Sequence, residues 1–122
     1  MRMENTNNTV WKTKDYKERT VELRNDDRQH IYDHHSSMKN GDNIHQLKTV
    51  VESPEVVYQS AEYPKREVFI SKSTGFTYAS KVELTKIIIH YDTEHSGHVV
   101  TAFPVKRVGG NIGEKLYPED DV

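Results

Sequence analysis

Cysteine is absent from this chain of 122 residues, so disulfides and thiolate metal sites are excluded and nothing argues for an oxidising compartment. Long apolar runs are missing too: the longest, Ile87 to Ile89, is far too short for a membrane helix. The opening MRMENTNNT has no apolar stretch of the kind a secretory signal carries, and the reading is a cytoplasmic protein. Charge of one sign is also lacking, because 17 basic residues face 19 acidic ones for a formal net charge of -2. The molecule as a whole has no attraction for a phosphate backbone, so any nucleic-acid contact must come from a local patch. Hydrophobic residues make up only 34% and mean hydropathy is -0.86, which is core material for one small two-layer domain.

What is present divides into helical and extended spacing. Residues 1–9 are polar and Asn-rich and read as a flexible N-terminus, 10–107 as a single α+β domain, and 108–122 as a C-terminal tail over the surface. In the stretch after Val10, only TVEL alternates as a short strand does. Asn25, Asp26 and Asp27 can cap a helix from Asp27 to Met38, ended by Lys39 to Gly41. A second helix, Asn43 to Glu52, places Ile44, Leu47 and Val51 on one face and is stopped by Ser53 and Pro54. Four β-branched runs follow, VVYQS, EVFIS, KVELTKIIIHY and GHVVTAFPVKR, separated by short turns that imply antiparallel neighbours. The expected architecture is two N-terminal helices packed on a four-stranded antiparallel sheet.

The stretch DRQHIYDHH holds three of the seven histidines. On a continuous helix His30 and His34 share a face, while His35 points about 100° away from His34, which offers two faces and no single triple site. The spacing of His30 and His34 is one that zinc helices use, but Ile31 stands where such sites need a Glu, and a third ligand would have to come from distant His45, His90, His95 or His98. A histidine metal site with hydrolytic or structural use is thus the third reading, behind those in which no cofactor is expected.

The unit HIYDHH, the helix ending in VVESPEVV, the turn containing Tyr63, the strand KIIIHY and the final VVTAF resemble the phage-associated branch of the barnase, EndoU, colicin and RelE-like ribonuclease superfamily. The resemblance falls on His30, Ile31, His35, Pro54, Val57 and Thr101 and covers roughly Asp27 to Pro104. His34 stands where that branch usually has Arg, and Ser36 and Ser37 where it often has Pro and an acidic residue. The likeness implies a barnase/RelE-like fold and a metal-independent endoribonuclease, phage-borne or toxin-like, with RNA as substrate and an inhibitor or immunity protein as partner. It implies His30, His35 and Thr101 as catalytic residues. The alternative is a catalytically silent relative that only binds RNA or a protein.

Chemistry points to the same side chains. Cleaving RNA without metal needs a base for the 2'-hydroxyl proton, an acid for the departing 5'-oxygen, and a cation or donor for the phosphorane. Histidine can serve either proton transfer near neutral pH. Lysine or arginine with a threonine hydroxyl can supply the rest. The candidate cations that would hold substrate are His34, Lys72, Lys86 and Lys106, with Arg66 nearby. Strand alternation puts Thr101 on the face of Val99 and Phe103.

Overall fold

Among the described residues Trp11 is the first to be buried in the core, and it belongs to a strand that comes before either helix. The computed structural model describes residues 9–79, 81, 83–110 and 112–119. Strand β1 (Thr9–Lys14) pairs antiparallel with β2 (Thr20–Arg24). Helices α1 (Asn25–His34) and α2 (Asn43–Glu52) follow, with a single 3-10 turn (Ser36–Lys39) between them. Then come β3 (Val56–Ser60), β4 (Arg66–Lys72), β5 (Leu84–Tyr91), β6 (Ser96–Val105) and β7 (Ile112–Tyr117).

All seven strands form one sheet in the order β1-β2-β6-β5-β4-β3-β7. The expected two N-terminal helices on a four-stranded antiparallel sheet are thereby corrected: strands come first, and the sheet is mixed. The four runs read as strands do pair antiparallel in sequence order. They are only its middle. Strand β2 joins β6 in parallel, through Thr20, Val21 and Glu22 opposite Ser96, Gly97 and His98. No turn signal announces a pairing between segments so far apart. The other two strands lie at the edges and carry charges where a buried strand would carry apolar residues: Lys12 and Lys14 in β1, Glu114 and Lys115 in β7.

One face of the sheet carries the helices. Ile44, Leu47, Val50 and Val51 of α2 are buried against Trp11, Val57, Phe69, Ile87 and Ile89, each such side chain worth about 1.5–3 kcal/mol over exposure. Trp11 adds a buried hydrogen bond from its indole nitrogen to the Ile44 carbonyl at 2.8 Å. The β1–β2 turn folds onto the same face. Asp15, 2% exposed, accepts from the Lys17 and Arg19 amides and the Arg19 guanidinium, and from the Tyr91 hydroxyl at 2.6 Å. Arg19 lies over the Tyr91 ring and also reaches Glu67 of β4. Gly97 is required where β6 passes β5, because a Cβ there would sit 2.4 Å from the His90 carbonyl oxygen.

The connection from β6 to β7 positions the other face. It must cross β5, β4 and β3, roughly 19 Å at the spacing of neighbouring strands. The residue steps from Val105 to Ile112 reach about 24 Å at most, so the crossing is nearly direct. It takes the face away from the helices, since the Lys86 ammonium donates to the Val108 carbonyl at 2.9 Å. Among the described residues, no helix is long and apolar enough to cross a membrane.

Candidate active site

Strands β5 and β6 set the floor of the helix-free face. Their register places Lys86 opposite Phe103, Ile88 opposite Thr101 and His90 opposite His98. Ile89 is opposite Val99 and Ile87 opposite Ala102, so Val100 is an extra residue, a bulge. The bulge overturns simple alternation. Val99 and Ala102 both face the core, while Thr101 and Phe103 share the opposite face with Ile88 and Lys86. The Thr101 hydroxyl oxygen is buried and has no hydrogen-bond partner among the described residues.

The histidine helix is shorter than the sequence suggests. It ends at His34, and His35 leaves helical geometry at φ -140° and ψ 78° while its amide still donates to the Ile31 carbonyl at 2.7 Å. Ser36 and Ser37, which compete with the backbone for hydrogen bonds, begin the 3-10 turn instead. Helix α1 packs along β6, and the break turns His35 onto that strand: its ring stacks on Phe103 with centroids 4.6 Å apart. Ile31 and Met38 are buried on either side in sequence and fix the segment.

A file of rings results. His30 and His34 lie 4.3 Å apart, His34 and His35 6.4 Å, and His35 stacks on Phe103, whose ring centre is 6.0 Å from the Lys86 ammonium. Three histidines expected on two faces are thus contiguous. Burial, then the charges of His34 and His30, hold the His35 imidazole below its ordinary pKa. His30 and His34 are exposed, and the His34 Nδ1 is 3.0 Å from the His30 carbonyl, to which it donates when protonated there.

Lys86 is buried, and burial lowers its pKa. The other two predicted lysines are not brought to it. Lys72 is exposed at the end of β4, beyond the Ile70 that pairs with Lys86, and Lys106 is exposed just past β6. Sequence reasoning left Phe103 out of the site although it stands two residues from Thr101; the stacking depends on a helix end that only the fold reveals.

Roughly 13 Å along the same face, at four residues' rise, a second cluster surrounds Asp92. His98 Nδ1 lies 3.0 Å from its carboxylate, His90 Nε2 3.9 Å and Arg24 3.6 Å. Burial alone would raise the Asp92 pKa, but the His98 hydrogen bond and these charges outweigh it and hold it low. Among the described residues, no group of three His, Asp or Glu side chains is arranged to hold a metal ion. No family model, curated protein or solved structure matches the chain.

Proposed function

We propose that the protein is a metal-independent endoribonuclease working on the helix-free face of its sheet. The observation that carries this reading is the placement of a half-buried imidazole of lowered pKa, His35, on Phe103, with the Lys86 ammonium near the same ring. Thr101 stands one pair further along the strands. A neutral imidazole near pH 7 accepts a proton, and a buried cation beside it stabilises charge that develops on phosphate.

In this mechanism His35 removes the proton from a ribose 2'-hydroxyl, whose oxygen bonds to the adjacent phosphorus. Lys86 stabilises the phosphorane. The bond from phosphorus to the 5'-oxygen then breaks, and protonated His30 gives that oxygen its proton, leaving a 2',3'-cyclic phosphate. His34 contributes charge only while protonated, in the place where the resembling ribonucleases usually carry Arg. DNA lacks the attacking hydroxyl and is left intact.

One observation favours a silent RNA-binding relative instead: the Lys86 ammonium already has an acceptor in Val108. Incubation with single-stranded and structured RNA in excess EDTA separates the two. Fragments ending in 2',3'-cyclic phosphate are expected; retarded but uncut RNA would leave only binding. Cleavage abolished by EDTA and restored by a divalent metal would replace this mechanism with a metal-dependent one.

A further inference from the structure

Beside the His35 stack lies a cavity of ≈ 210 Å³, room for roughly seven waters' share of liquid volume. Its walls include Tyr63 from the β3–β4 turn, Arg66, Val68, Lys86 and Phe103, and Gly110 of the crossing connection closes one side. Both cations facing it, Arg66 and Lys86, have no carboxylate partner among the described residues. Arg66 instead lies 4.3 Å over the Tyr63 ring and 3.4 Å from a nitrogen of His90. Lys86 has only the Val108 carbonyl.

A buried ammonium without a counter-charge is costly, and a residue kept at such a cost points to an anion that neutralises it when bound. One carboxylate, Glu62, also lines the cavity, so two cations face one anion and the site is left with net positive charge. Apart from Ser60 and Gly110, the rest of the lining is apolar or aromatic. Tyr63, 50% exposed, is the one exposed large hydrophobic side chain among the described residues, and Val68, Ile88 and Phe103 offer a surface for a flat ring or sugar. A lone inorganic ion would leave that surface unused.

We infer that this cavity binds the phosphate of a nucleotide, with Arg66 and Lys86 on the phosphate and Tyr63 and Phe103 against the attached ring or ribose. The assignment rests on the ribonuclease reading for the identity of its ligand, as the nucleotide next to the bond being cut. The fork of Arg66 can bind two phosphate oxygens, whereas Lys86 acts as a point charge from below.

The test is calorimetric titration of the full chain at low salt with the four nucleoside 3'-monophosphates, the matching nucleosides and inorganic phosphate. The monophosphates should bind at least about tenfold tighter than the nucleosides, and both Arg66→Gln and Lys86→Met should remove that advantage. Arg66 is half-buried and its replacement should fold, so the proposal does not depend on Lys86→Met alone. Equal affinity for monophosphate and nucleoside, or unchanged phosphate affinity in the folded variants, overturns the site. A short oligoribonucleotide that competes with the monophosphate identifies an RNA chain as the source; one that does not compete identifies a free nucleotide. The two readings fail separately. Phosphate binding without any RNA cleavage leaves the cavity and removes the ribonuclease, while RNA cleavage by a protein that binds monophosphate no tighter than nucleoside does the reverse.

Discussion

The His35 imidazole and the Phe103 ring are stacked, with centroids 4.6 Å apart and planes 22° from parallel. That contact removes water from one face of the imidazole, and burial is the first cause of its lowered pKa. Phe103→Ala should therefore raise the His35 pKa toward the ordinary value near 6.5. Titration of the imidazole resonances by NMR reads this directly. Stability should follow: the folded state binds fewer protons than the unfolded chain, so stability is lost as pH falls from about 6.5 through the lower folded value. Phe103→Ala should shrink that loss. An unchanged His35 titration in the variant would mean that the ring does not set the pKa.

Proton transfer by the same side chains predicts the rates. His35→Ala and His30→Ala should each lower RNA turnover by roughly 10²-fold or more, the usual contribution of a general acid or base. The fold should survive, since His30 is exposed and His35 only half-buried. Melting curves and turnover on one preparation check both halves. Two variants that cleave as fast as wild type would reduce the histidines to a solvated helix end.

Helix α2 was legible because apolar residues recur every turn and Pro54 stops it; its bounds agree with the structure. The central four strands were legible for the same kind of reason. Elsewhere local sequence misleads. Strands β1 and β7 pair at edges, where charged side chains are tolerated and periodicity is lost. The tail read as running over the surface supplies β7. The site was legible as residue types but not as geometry, because two irregularities build it: the helix break at His35 and the bulge at Val100. Each changes which way a side chain points, and neither has a strong sequence signal.

The β1–β2 turn depends on one buried carboxylate. Asp15 has a fully buried side chain; its removal would leave the Lys17 and Arg19 amides and the Tyr91 hydroxyl without their acceptor, while Glu67 keeps the Arg19 guanidinium paired. Asp15→Ala should cost about 3–5 kcal/mol, since each buried donor left without an acceptor costs about 1–3 kcal/mol. Tyr91→Phe should cost less, about 1–2 kcal/mol, for one lost hydrogen bond. Burial, then the bond to Asp15, holds the Tyr91 phenol well above its ordinary pKa, so it remains a donor throughout the accessible range. Urea unfolding of the two variants should rank them in this order, and equal midpoints would show that Asp15 is not what secures the turn.

His34→Arg gives the sharpest test of how charge is used along the file of rings. His34 lies 6.4 Å from His35, and its charge contributes to lowering the His35 pKa. In wild type that charge, and with it the help given to phosphate, exists only on a protonated imidazole. A guanidinium stays charged throughout. The variant should therefore keep or raise turnover at neutral pH and fall less on the alkaline side. Its acid limb should move to lower pH, because a permanent positive neighbour makes His35 harder to protonate. Both shifts come from one pH-rate profile beside wild type. If the variant loses activity, or both limbs stay where they were, His34 acts through its shape or not at all, and the electrostatic role given to it here is wrong.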